Sequence, residues 1–172
     1  MIIAKPTILT ITLKIVITIL GLYAIGEVDY YSMKISHEKN VEYPILTIPA
    51  IGLSEKINNK SLSQGVYTPL ESYKPDNGDV VVYGHRTLQG SPFLRLNQVN
   101  VEDKLVFQWP GIGEINYTVK NKKVVPPTYK MTTEKYGDKV YLITCDPIGS
   151  TTNRLIIEGE KDSTGPLQEK NT

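Results

Sequence analysis

A chain of 172 residues, 40% of them hydrophobic, can bury one core but hardly two. Lys and Arg total 19 against 18 Asp and Glu, a formal net charge of +1 with no run of like charge, which excludes a nucleic-acid footprint. One cysteine and two histidines exclude an internal disulfide and the paired ligands of a structural zinc site, so packing alone must hold the fold, and no metal or other cofactor is expected.

Residues 7–26 are apolar except for threonines and Lys14, and that length matches the roughly 20 residues with which a helix crosses the hydrocarbon layer. Lys14 can snorkel toward the N-terminal side. Lys5 precedes the run and Lys14 lies in its N-terminal half, while Glu27 and Asp29 follow it, a bias that predicts a cytoplasmic N-terminus and an extracytoplasmic remainder. Two other readings compete. Ala24-Ile25-Gly26 has the small-x-small character of a signal-peptidase site, but the run exceeds the roughly 7–15 residues of a signal-peptide apolar region. A buried core helix would show a polar face, and this run has none. The expectation is a cytoplasmic stub and retained transmembrane helix over residues 1–26, holding a single-pass protein in the lipid of the cell membrane. Residues 27–42, polar and mixed in charge, read as a stalk in which His37 is a solvated linker residue.

From Tyr43 onward, short runs rich in β-branched and aromatic residues are separated by turns containing Gly, Pro and Asn. They predict strands near residues 45–48, 55–57, 79–83, 104–108, 113–125, 140–145 and 154–160. One short helix is expected around residues 91–96, where Pro92 suits a first-turn position. The fold class is therefore mainly β, a barrel or a sandwich, in one domain over residues 43–160. Residues 161–172 form a polar tail containing Gly165-Pro166 and are expected to be disordered.

The chemistry-bearing residues sit at the ends of these expected strands. Tyr141-Leu142-Ile143-Thr144 leads into Cys145, the one thiol; Val80-Val81-Val82-Tyr83-Gly84 leads into His85; Arg154 opens the last strand. A cysteine attacks an acyl group as the thiolate, and an unperturbed thiol is only partly ionised at neutral pH. An adjacent imidazole can favour the anion and return a proton to a leaving amine. A guanidinium offers a planar fork of donors to an oxyanion or a substrate carbonyl. With residues 146–153 as the connection, antiparallel pairing would set Cys145 and Arg154 at one mouth of the sheet. Alternation then puts Tyr141, Ile143 and Cys145 on one face, with Leu142 and Thr144 on the other. His85 needs only a neighbouring strand ending at the same edge. Each residue also has an ordinary structural explanation: a buried small hydrophobe for Cys145, a turn residue for His85, a surface ion-pair partner for Arg154.

Taken together, these residues resemble the signature of the sortases, membrane-anchored cysteine transpeptidases whose pattern is Thr-Leu-x-Thr-Cys with an Arg several residues later. Leu142, Thr144, Cys145 and Arg154 match it, and Tyr141 replaces the first Thr. Residues 44–53 resemble the family's first strand, residues 78–86 its histidine strand and Phe93-Leu94-Arg95-Leu96 the apolar segment that follows, in collinear order over residues 43–160. The resemblance implies a closed β-barrel of about eight strands with short helices. It also implies catalysis by His85, Cys145 and Arg154. The thiolate cleaves a Leu-Pro-x-Thr-Gly-like sorting signal of an exported surface protein after its Thr, and an amine acceptor, from the cell wall or a protein lysine, resolves the thioacyl enzyme. By position, Arg154 would stabilise the oxyanion and His85 would protonate the leaving amine. Residues 125–138 match the family's signal-recognition loop in position, and Thr144 is a candidate substrate-binding residue. The Asp-Pro-aromatic lid motif of pilin-polymerising relatives is not completed by Asp29-Tyr30-Tyr31, which lacks the proline.

A second class of function stays open: a catalytically silent surface binding domain on the same fold. A peptidoglycan L,D-transpeptidase fits less well, because that signature puts Gly directly before its Cys, where Thr144 stands here.

Overall fold

Among the described residues, 41–88 and 90–163 with Thr18 and Leu20, the computed structural model forms eight strands. They are β1 (Ile45–Ile48), β2 (Leu53–Asn58), β3 (Val66–Tyr67), β4 (Val80–Tyr83), β5 (Lys104–Trp109), β6 (Gly113–Val125), β7 (Lys139–Asp146) and β8 (Asn153–Lys161). They close into a barrel in the order β1-β2-β3-β4-β7-β8-β6-β5, with β5 returning to β1. β2–β3 and β4–β7 are parallel and the other neighbours antiparallel. The expectation of a mainly β, closed eight-stranded barrel is met.

Local sequence explains the joints. Leu46 and Ile48 alternate inward along β1, which then turns through a 3₁₀ segment at Pro49–Ile51 into Gly52 at φ 62°. A left-handed residue there is cheapest as glycine, and its N–H donates to the Pro49 carbonyl at 3.1 Å. In the β5–β6 hairpin the inward pairs Leu105↔Tyr117 and Phe107↔Ile115 face each other across the register. The Phe107 and Tyr117 rings meet edge to face, with centroids 5.5 Å apart. Gly159 on β8 makes room for them: a Cβ there would lie 3.0 Å from Val140 and 3.1 Å from Leu105. Val80, Val82, Leu142 and Ile157 complete a core that is fully sealed from solvent, each such side chain contributing about 1.5–3 kcal/mol relative to exposure.

The sheet formed by β4, β7 and β8 is apolar on its outer face as well. Val81, Tyr141, Ile143 and Ile156 form a second buried cluster, joined by Tyr83, Val125 and Met131. That second face is where the site lies.

The helix expected over residues 91–96 is corrected. The chain instead makes a series of turns ending in a 3₁₀ segment at Leu96–Gln98. The bonds Leu94 N–H to Ser91, Leu96 N–H to Phe93 and Val99 N–H to Leu96 each span three residues. The reason is spacing. Phe93, Leu96 and Val99 are all fully buried, and residues three apart eclipse only in 3₁₀ geometry. No helix among the described residues is long and apolar enough to cross a membrane. The anchor expected at 7–26 lies outside the described residues apart from Thr18 and Leu20, as do the stalk up to residue 40 and the tail beyond 163.

Candidate active site

Strand alignment brings the three sequence-predicted residues to one rim. β4 and β7 run parallel from Val80↔Val140 to Tyr83↔Ile143, and the Gly84 N–H carries the ladder onward by donating to the Ile143 carbonyl at 3.1 Å. Two residues beyond Tyr83 and Ile143 stand His85 and Cys145, at the same level. On the other side of β7, Cys145 and Arg154 are direct register partners of the antiparallel β7–β8 pair. Cys145 and Arg154 are half-buried and His85 is exposed, so the thiol-bearing residue is not sealed in the core. The Arg154 guanidinium is aimed by its own connection: Nη1 donates to the carbonyls of Thr151 at 3.1 Å and Asn153 at 3.0 Å.

Arg154 lines a cavity of about 340 Å³. Its floor is the outer face of the sheet, through Val81, Tyr83, Ile143 and Ile156. One wall comes from the connection after β6, with Pro126, Pro127, Tyr129, Met131 and Thr133, and the other from Pro69, Glu71 and Ser72. Burial, with a smaller contribution from Tyr67, pushes the Tyr83 phenol above its usual pKa, so this part of the floor carries no charge at physiological pH. A larger hollow of about 690 Å³, lined by Tyr43, Tyr73 and Trp109, shares Pro69 and Ser72 with the first. It touches none of the three candidate residues, whereas the smaller cavity is lined by Arg154, with Cys145 and His85 outside its lining, and the smaller cavity is therefore the candidate site.

The connection that walls the cavity hangs from the start of β4. Asp79, buried at 2% exposure, accepts from the backbone N–H groups of Glu134 at 2.9 Å and Lys139 at 3.0 Å. Its own N–H donates to the Glu134 carbonyl at 3.0 Å. Gly137 packs so close that a Cβ would overlap the Asp79 carboxylate.

Thr144, expected to bind substrate, is corrected. Its side chain is 3% exposed, does not line the cavity, and donates its hydroxyl to the Gly84 carbonyl at 2.7 Å. Strand alternation sets it inward with Leu142, opposite to Cys145; it stitches β7 to the segment leading to His85.

Sequence reasoning gave no role to Arg86, Asp146 or Asp79. Arg86 is buried, and its Nη1 donates to Asp146 Oδ1 at 2.5 Å and to the Cys145 carbonyl at 3.4 Å. A signal existed: opposite charges stand one residue past His85 and one past Cys145.

Comparison with known proteins agrees with the family and the barrel fold. The family model described as Sortase domain matches residues 34–162. Among solved structures, a pilus-related sortase C of Group B Streptococcus is 25% identical with a TM-score of 0.63, the match covering 73% of this chain and 71% of that one. Sortase C1 of pilus island 1 of the same organism is 27% identical, with a TM-score of 0.62 and coverage of 75% and 66%. Sortase C-1 from Actinomyces oris is 26% identical, with a TM-score of 0.63 and coverage of 79% and 82%. No curated protein matches the sequence.

Proposed function

The chain belongs to the sortase family of transpeptidases, and from that premise we propose that it joins exported proteins to amine acceptors through Cys145. An extended sorting signal of the Leu-Pro-x-Thr-Gly type lies in the cavity, its apolar side chains on Val81, Tyr83, Ile143 and Ile156. The Cys145 thiolate attacks the Thr carbonyl carbon and forms a C–S bond while the carbonyl electron pair moves onto oxygen, where the Arg154 fork stabilises it. Collapse breaks the C–N bond, and the departing amine takes its proton from the His85 imidazolium. The acceptor amine then attacks the thioester and gives its proton to His85. The C–S bond breaks, leaving a new amide and the free thiolate.

The observation that carries this reading is the register pairing of Cys145 with Arg154, beside the end of the parallel strand that leads to His85. Two of the matched relatives are named for pili, which supports a protein lysine alongside a cell-wall amine as the acceptor class. Residues 7–26 would hold the enzyme in the membrane, with the stalk at 27–42 presenting the 43–160 domain on the extracytoplasmic side. The test uses the full chain in detergent with a fluorogenic Leu-Pro-x-Thr-Gly peptide and a glycine-based amine. We expect a thioester adduct on Cys145 by intact mass and an amide product. An unchanged rate in Cys145→Ala would remove the proposal.

A further inference from the structure

Resting on that reading, we infer that the Arg86–Asp146 pair is a positioning clamp that sets His85 and Cys145 against each other. Neither residue takes part in the bond-making steps, yet they immediately follow the two residues that do. Arg86 is 4% exposed and Asp146 27%. Burying a guanidinium is costly unless it is paired and well hydrogen-bonded, and this one is: besides Asp146 and the Cys145 carbonyl, its Nε donates to the Leu94 carbonyl at 3.4 Å.

The partners explain what the cost secures. The β4–β7 ladder ends at the Gly84 N–H to Ile143 bond, one residue short of His85. Beyond it, the two chains are joined by the Thr144 hydroxyl on the Gly84 carbonyl and by the Arg86 side chain on Cys145 and Asp146. The Arg86 carbonyl also accepts the Gly149 N–H at 3.0 Å, tying in the β7–β8 connection, whose Thr151 carbonyl aims Arg154 together with that of Asn153 at the start of β8. The backbones of nucleophile, acid and oxyanion donor thus converge on one arginine. A rim held only by strand ends would fray, and misplacement of reacting groups by about 1 Å can cost on the order of 100-fold in rate.

Arg86→Gln, Asp146→Asn and the double variant test this in the full chain in detergent, with thermal melting to verify the fold. Iodoacetamide alkylation of Cys145 near neutral pH needs no substrate and reports the thiol and its imidazole; peptide kinetics report the cavity. Each single variant is expected to slow alkylation and kcat on the order of tenfold, leaving KM within about twofold because neither residue lines the cavity. The double variant is expected to be no slower than the worse single, because the two act as one unit. Folded variants alkylated within about twofold of the parent rate, or losses that multiply in the double variant, overturn the clamp. If Arg86→Gln does not fold, Asp146→Asn, at a partly exposed position, decides alone. A parent thiol no faster than free cysteine, with no peptide turnover, removes the transpeptidase reading and the clamp together. A fast parent thiol that the variants leave unchanged removes the clamp only.

Discussion

Asp79→Asn isolates binding from chemistry. The Asp79 carboxylate accepts two backbone N–H groups, from Glu134 and Lys139. An amide in its place keeps one acceptor oxygen and turns an NH₂ group toward the other donor. One charge-assisted bond, worth about 1.5–3 kcal/mol, is lost, and relief from burying a charge returns part of it, leaving a net cost of about 1–3 kcal/mol. The loss falls on the attachment of the wall that includes Met131 and Thr133. Thermal melting is expected to record the destabilisation. Steady-state kinetics with the sorting peptide are expected to show KM raised on the order of tenfold at nearly unchanged kcat, the signature of lost uniform binding. Iodoacetamide alkylation of Cys145 is expected to keep the parent rate. A folded variant with lowered Tm and unaltered KM would refute the idea that Asp79 sets the wall, and slowed alkylation would show that it acts on the thiol instead.

Three further outcomes follow from individual contacts. Arg154→Lys is expected to fold and to lose kcat on the order of 100-fold, because a point charge cannot reproduce a planar fork at the oxyanion; near-normal turnover contradicts the role. Gly84→Ala would drive a Cβ into the sealed Phe93 ring, an overpacking cost of about 1–3 kcal/mol. Because the Phe93 N–H donates to the His85 carbonyl, Tm and kcat are expected to fall together, and a variant with parent-like Tm would refute the packing argument. Hydrogen bonds from Lys104 and Thr118 hold the Asp162 carboxylate below its usual pKa. A carboxyl depressed in the folded state stabilises above its unfolded value of about 3.9 and loses that contribution as pH falls through the folded value. The Tm gap between parent and Asp162→Asn, worth less than about 1 kcal/mol for so exposed a pair, is therefore expected near neutral pH and should shrink in acid; a gap of constant size contradicts the linkage.

The barrel was legible because β4, β7 and β8 are buried on both faces, which produces continuous apolar runs such as Val80-Val81-Val82 and Val140-Tyr141-Leu142-Ile143. Each ends at a residue whose chemistry stands out against its neighbours. β3, two residues long, carries no pattern to read. The segment after His85 was misread because Pro92 at an apolar stretch looks like a helix start, while the spacing of Phe93, Leu96 and Val99 by threes called for 3₁₀ turns. Thr144 was mistaken for a groove residue although alternation already set it opposite to Cys145. Arg86 and Asp146 were not joined in the sequence reading, although each follows a candidate residue, because the parallel adjacency of β4 and β7 is a crossover spanning two other strands. Asp79 reads as the first residue of the expected strand 79–83; only the return of Glu134 and Lys139 to it reveals an anchor.

The same two-residue period that builds the floor also locates the chemistry. Ile143 to Cys145 and Ile156 to Arg154 are each one step of two along a strand, so these two candidate residues continue the face on which Ile143 and Ile156 line the cavity, while His85 stands two residues past Tyr83, the last residue of β4. Under the proposed function, a peptide laid on the floor would reach Arg154 in the cavity lining and Cys145 beside it in the register. On the proposed reading, binding and bond-making would occupy neighbouring parts of one sheet, each with its own tether: Asp79 for the wall, and Arg86 with Asp146 for the rim. Damage to the first tether should appear in KM and damage to the second in kcat, a division that follows from the register of three strands rather than from the identity of the substrate.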